Sequence, residues 1–342
     1  MTAVFCHNAE DRKAETWEAR LAPFEHLEFA VSDAAKGITA AVARRTEARR
    51  DDPSAPALEH GLDVFHTAME AHRVLAQHWR RAESAWEQAE AAEAKRTEAK
   101  RHGLDARGVA QTARAAWRRA SASLAQAERL ETAWDRAAAA LDLFGPDGRL
   151  NDRSHAESEI AAALKDLIGP DWAKVRGFLK DRRSLAFLDR MHRRLESAEP
   201  RSQWRAAMAW RWWLRHRRPP ASDPVIELVR AAGRDRALDQ DEQASYDRVA
   251  AVLRDTFRAS SAVECINSVL RMQQSRHRRM TQPMLDLKRL YWNCRAFRSG
   301  PRKGTCPYRA LGLDLPTFDF WDLLQTDPAQ LAQQLSTQGN DV

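Results

Sequence analysis

Three short stretches of the chain gather side chains that could do chemistry. The first is Ser-Ser-Ala-Val-Glu-Cys-Ile-Asn-Ser-Val-Leu-Arg at 260–271. On a helix beginning near Ser261, at about 100° per residue, Glu264, Asn267, Ser268 and Arg271 share one stripe, opposite Val263, Ile266, Val269 and Leu270. A carboxylate, an amide and a guanidinium would then face one partner while the apolar stripe packs into a core. Ser261-x-x-Glu264 also matches a capping box, in which the glutamate merely satisfies backbone amides, and both readings stand. The second stretch is Ala-Val-Ser-Asp-Ala-Ala-Lys-Gly-Ile at 30–38, with Asp33 closing a strand-like run. The third is Leu-Asp-Val-Phe-His at 62–66, with Asp63 three residues before His66. Carboxylates gathered from strand ends and a helix are the groups that hold divalent cations around a phosphate.

The elements that must position these groups are largely helical. Residues 27–31 alternate with period two and predict a strand, and 62–65 predicts a second short one. Between them, Lys36-Gly37 leads into 38–45, which reads as a short amphipathic helix, and 49–56 reads as a polar, Pro-containing loop. From about His66 the chain turns Ala-, Glu- and Arg-rich. Two long helices are expected, to about 101 and from about 108 to 143, as an antiparallel hairpin with Ala and Trp interleaved at its seam. Gly-Pro-Asp-Gly-Arg at 145–149 is a stop. Further helices are expected at about 155–166, 171–180, 184–197, 202–217 and 240–257, with a Pro-rich linker at 219–224. Trp79, Trp86, Trp117 and Trp134 read as core. Trp210, Trp212 and Trp213 cannot all be buried on one helix face, so core plus a DNA-facing edge is expected there.

Charge points to a polyanion partner. The chain has 342 residues and a net charge of +7, but Arg254 to Arg309 alone carries 13 basic residues against three acids. Arg201 to Arg218 adds six arginines and no acid. Segregated positive charge of this kind suits nucleic acid. With 44% hydrophobic and 30% charged residues the composition is that of a soluble chain. No apolar run approaches a membrane span, so no membrane partner and a cytoplasmic location are expected. Cys6, Cys265, Cys294 and Cys306 form no CxxC and are spaced too irregularly for a zinc ribbon.

The order of these stretches, with a long helical segment before SSxVExxNSxLR, resembles the DDE transposases of bacterial insertion sequences. Strand–SD–AxKG–helix looks like the region of that family's second catalytic aspartate, followed by its D-x-x-H segment. The Ser-Ser-x-Val-Glu helix looks like its glutamate region. RMQQSRHRRMTQ, LDLKRLYWNCRAFRSG and RKGTCPYRALGL are similar to its C-terminal signature. The resemblance is most specific over 258–324 and rests on helical character in the middle of the chain.

That resemblance implies an α/β fold that is predominantly α overall: a partial ribonuclease H-like core interrupted by a large, mainly α-helical insertion. The first part of the core would be 1–66, the insertion 67–250, the second part of the core 251–300 and a C-terminal tail 301–342. It implies DNA transposition through Mg²⁺- (or Mn²⁺-) dependent cleavage and strand transfer at insertion-sequence ends. Asp33 and Glu264 would be the catalytic metal-binding carboxylates. Asp63, His66, Asn267 and Arg271 are secondary candidates, Asp63 either as a direct ligand or as a structural or phosphate-contacting group. Arg276, Arg278, Arg279, Lys288, Arg289, Arg295 and Arg298 would contact the DNA backbone. Partners would be transposon-end and target DNA, with a homodimer as an open expectation.

The sequence departs from the family at its start. The strand bearing the first aspartate would lie upstream of the segment that 1–33 resembles. An N-terminally truncated chain with little or no catalysis is therefore expected. The alternative is a non-catalytic DNA-binding or assembly protein derived from a transposase.

Overall fold

The computed structural model describes residues 11–50, 55–105, 107–217, 236–258, 281–298, 303–310, 312–313, 315–331 and 333. It is predominantly helical, with a small two-stranded parallel sheet among the described residues. By internal packing the chain forms two units, one of Trp17–Ser260 and one of Met1–Thr16 with Ser261–Val342.

After α1 (Ala14–Leu21), the larger unit opens with β1 (Phe29–Ser32), α2 (Lys36–Ala48) and β2 (Glu59–Leu62). The strands are parallel and in register, Phe29 with Glu59 through Ser32 with Leu62, and α2 provides the crossover that parallel strands require. Val64 and Phe65, expected to lie in the second strand, instead begin α3 (Val64–Arg101). The cause is local. Asp63 accepts a hydrogen bond from the Phe65 amide and so starts a helix where the apolar pattern alone would extend the strand.

Several anchors seat the strand pair. Arg49, just past α2, donates to the carbonyls of Phe24, Glu25, Leu27 and Pro56, tying together the segments that lead into both strands. From α7 (Ala186–Ala198), Arg190 pairs with Glu28 at 2.6 Å and Arg193 with Glu59 at 2.5 Å, and the Arg190 guanidinium lies over the Phe29 ring. The sheet therefore rests on the helical part of the same unit.

Helix α3 and α4 (Arg107–Ala140) form the expected antiparallel hairpin. Ring contacts fix its direction: His72 meets Trp134, and Trp86 meets Trp117. The seam is built of small residues, with Ala82 and Ala89 of α3 and Ala113, Ala116, Ala120 and Ala127 of α4 all buried. Near its base the hairpin joins the main core, where Val74, Leu130, Trp134 and Leu141 pack with residues of α5 (Arg153–Ala163), α6 (Ala173–Lys180), α7, α8 (Ser202–Arg217) and α9 (Gln240–Arg254). Farther out the buried residues are alanines, with Ala89, Ala116 and Ala120 forming a small cluster of their own.

The tight turn between α4 and α5 is where a glycine is required. Gly148 has φ +77°, and a Cβ there would come within 3 Å of the rings of Trp210 and Trp213. Those rings, with Trp212 stacked on Phe144, pack into the core from α8. The expected DNA-facing tryptophan edge is thus largely spent on this turn, while Arg217 and His216 cover the outer faces of Trp213 and Trp212.

The second unit contains α10 (Gln282–Cys294), α11 (Pro307–Ala310) and α12 (Phe320–Gln325). Tyr291 sits edge-on to Phe320, and Cys294 and Cys306 are buried and unbridged. Burial pushes the Cys294 thiol up to about 11, with Cys306 and Asp319 adding to the effect. Among the described residues no helix is long and apolar enough to cross a membrane.

Candidate active site

Two parallel strands in register end side by side, so the residues that follow them do too. The Asp63 amide donates to the Ser32 carbonyl at 2.8 Å, extending the ladder by one step. Asp33 and Asp63 therefore stand next to each other at the carboxyl ends of β1 and β2. In sheets of parallel strands that edge is where ligands bind, because the loops there diverge and leave a crevice.

The two aspartates do different jobs. Asp63 is buried, with one carboxylate oxygen accepting from the Phe65 amide and the other 2.9 Å from His66 Nδ1. It caps α3 and orients the imidazole, which accounts for Asp63-x-x-His66 as one local device. Asp33 is exposed. Its carboxylate accepts from the Ala35 amide at 3.2 Å and forms no salt bridge among the described residues. Between them Ala34 has φ +63°, a left-handed conformation that costs a residue with a Cβ. That strained turn aims the backbone into α2 and leaves the Asp33 carboxylate at the mouth of a cleft.

The cleft has a volume of about 480 Å³. Asp33, Leu62, His66 and Glu70 line it from the strand ends and α3, and Lys174, Phe178 and Asp181 line it from α6 and the residue beyond. Its charge is mainly acidic, with Lys174 lying 3.9 Å from Glu70. Salt bridges to Arg73 hold the Glu70 carboxyl below its usual range, and the hydrogen bonds from Arg183 do the same for Asp181.

Behind the cleft wall runs a second network. His60 on β2 lies 2.8 Å from the Ser32 hydroxyl through Nε2 and 3.2 Å from Arg183 Nη1 through Nδ1. A guanidinium can only donate, so Nδ1 carries the lone pair and Nε2–H donates to Ser32. Arg183 in turn grips Asp181 with Nε and Nη2. Burial and the adjacent Arg183 charge push the His60 imidazole down to about 4, so it is neutral near pH 7. Glu70, Lys174, Asp181 and this network carried no motif. Only Asp181, placed to cap the turn that follows α6, left a local signal.

The remaining candidates divide by position. Glu264, Asn267, Arg271, Arg276, Arg278 and Arg279 lie outside the described residues. In the second unit, Arg295 and Arg298 are exposed, Lys288 is half-buried, and Arg289 is half-buried with Asp286 3.5 Å away. Among the described residues no group of three or more His, Cys, Asp or Glu side chains is placed to hold a metal ion. Asp33 with its described neighbours therefore does not by itself complete a divalent-cation site. Comparison with protein-family models, with curated proteins and with solved structures finds no match in any of the three.

Proposed function

We propose that the chain acts on DNA as a DDE-type transposase, with β1 and β2 as adjacent strands of a ribonuclease H-like core and the helices from α3 to α9 as its insertion. The observation that carries this reading is the placement of Asp33. It is an exposed carboxylate without a salt bridge among the described residues, at the carboxyl end of a parallel strand and at the mouth of a cleft. The neighbouring strand ends in the Asp63-x-x-His66 device, and a long helical segment follows, in the order that the sequence resemblance implies.

In this reading Asp33 and Glu264 are the carboxylates that would serve Mg²⁺-dependent phosphoryl transfer. The chain's own contribution at the described edge is positional. Asp63 spends its charge on capping α3, which keeps His66 turned into the cleft and leaves Asp33 as the open acid. The exposed Arg295 and Arg298 belong to the basic segment that would neutralise DNA phosphates.

The test uses the purified chain with Mn²⁺ and with a duplex DNA fragment, measured separately. Asp33→Asn and Glu264→Gln are each expected to weaken Mn²⁺ binding ~tenfold or more, and DNA affinity is expected to fall steeply with salt. Unchanged Mn²⁺ affinity in both variants would sink the assignment of the acids. The segregated basic charge of 201–218 and 254–309 also supports one second reading, a DNA-binding or assembly protein without catalysis. Salt-dependent DNA binding with no Mn²⁺ binding would select it.

A further inference from the structure

The middle of the α3/α4 hairpin carries an open, mainly apolar groove of about 750 Å³, lined by Trp79, Ala82 and Trp86 of α3 and Leu124 of α4, with Arg80 and Glu83 at its edge. Trp86 is 39% exposed although its ring is edge-on to Trp117 at 5.0 Å. Both helices thus contribute to one apolar face, and the tryptophans expected to be core at Trp79 and Trp86 instead line its floor.

Charge flanks this face in an ordered way. On α3, Glu83, Glu87 and Glu90 follow i, i+4, i+7 spacing and form the stripe just outside the two tryptophans, away from the Ala seam. On α4, Arg107, Arg114 and Arg118 form the corresponding stripe outside Trp117 and Leu124. All six are exposed, and none of them has a salt bridge among the described residues. From 82 to 94 α3 has four acids and no base, and from 107 to 127 α4 has four arginines and no acid. Arg80 lines the groove beside Glu83, so the segregation begins at Glu83 and runs outward along the hairpin, acidic on α3 and basic on α4, with the apolar floor between the two stripes.

We propose that this face is a self-association surface, occupied by the same face of a second copy. A twofold axis along the hairpin lays α3 of one copy over α4 of the other. Trp79 and Trp86 then meet Leu124 and Trp117, and each acidic margin meets a basic one. The register agrees. Trp86 is level with Trp117 in an antiparallel pair, so Glu87 and Glu90 are level with Arg118 and Arg114. A twofold axis across the hairpin would place α3 on α3 and acid on acid, so charge selects the first arrangement. The surface lies outside the cleft that holds Asp33, and this inference does not depend on the transposase reading.

Light scattering after size exclusion, run on the full chain, tests it. The wild-type protein is expected to be a dimer whose dissociation constant rises with salt. Trp86→Glu is expected to yield a monomer with an unchanged helical circular dichroism spectrum. The decisive pair is E87R/E90R and R114E/R118E. Each alone is expected to weaken self-association ~tenfold or more by placing like charges opposite each other. Mixed in equal amounts, the two are expected to form a heterodimer, in which both margins are again complementary. A monomeric wild type, or a mixture whose components stay apart, overturns the proposal. So does the outcome in which R114E/R118E lowers DNA affinity while both variants associate as the wild type does, because the arginine stripe would then serve phosphate.

Discussion

The His60 imidazole and the Ser32 hydroxyl are 2.8 Å apart on adjacent parallel strands, and Ser32 directly precedes Asp33. Because Arg183 occupies the other ring nitrogen, His60 stays neutral, its value pushed down to about 4 by burial and that guanidinium. An unfolded chain takes up a proton at His60 near pH 6.5, whereas the folded chain refuses it until about pH 4. The unfolded state therefore binds more protons across that window. Folding stability is expected to fall as pH drops from about 6.5 to about 4, and to be insensitive to this group above it. Urea unfolding at a series of pH values measures this. His60→Gln is expected to flatten the slope, and an equal slope in the variant would refute the assignment.

Arg49 joins four backbone carbonyls, those of Phe24, Glu25, Leu27 and Pro56, that otherwise have no strand partner to hold them. Arg49→Ala leaves the Glu25, Leu27 and Pro56 acceptors to water, while Phe24 keeps the Leu27 amide and Arg45, and it frees the approach to both strands, at an expected cost of about 2 kcal/mol. Hydrogen exchange at the β1 and β2 amides is expected to accelerate more than exchange in the α3/α4 hairpin. Uniform acceleration would mean that the clamp is not local.

The left-handed Ala34, φ +63°, sits between Asp33 and the start of α2. Glycine adopts this conformation without a Cβ clash, so Ala34→Gly is expected to stabilise the chain by up to about 1 kcal/mol in chemical denaturation. A destabilised variant would show that the Ala34 methyl makes contacts worth more than the strain.

At the far end of α7, the buried Glu199 accepts from Arg201 at 2.9 Å and from Arg248 of α9 at 2.5 Å. These hydrogen bonds hold its carboxyl well below the usual carboxylate range. The pair contributes stability above the ordinary glutamate value, lost as pH falls below about 4.3. Glu199→Gln is expected to cost about 1–3 kcal/mol at neutral pH, as both arginines retain access to water. The variant is also expected to lose less stability than wild type between pH 4 and 3, below the range in which His60 acts.

Gly148 offers a purely steric check. Gly148→Ala must both hold φ +77° and displace the Trp210 and Trp213 rings. A loss of about 2 kcal/mol and a changed tryptophan fluorescence spectrum are expected. A silent substitution would contradict the packing of α8 on this turn.

Most helices were readable from the chain because their signals are local. Ser202 to Arg217 and the Gly-Pro-Asp-Gly stop were visible as period and punctuation, and α9 begins at a capping box formed by Asp239 and Glu242. The second strand ends earlier than its pattern suggests, because Leu-Asp-Val-Phe alternates like a strand while Asp63 caps a helix. Pattern alone does not weigh one against the other. Asp33 was legible as a strand-end acid. Its neighbours in the cleft were not, since Lys174 and Asp181 come from more than a hundred residues away.

Helical character, segregated charge and the order of the acidic stretches are written in the chain itself. Those properties follow from composition and from contacts within a few residues. Folding alone makes Asp33 and Asp63 end neighbouring strands, leaves one open and the other spent, and turns Trp86 outward while Trp134 is buried. Strand register and burial depend on which distant segments meet, and no local pattern records that.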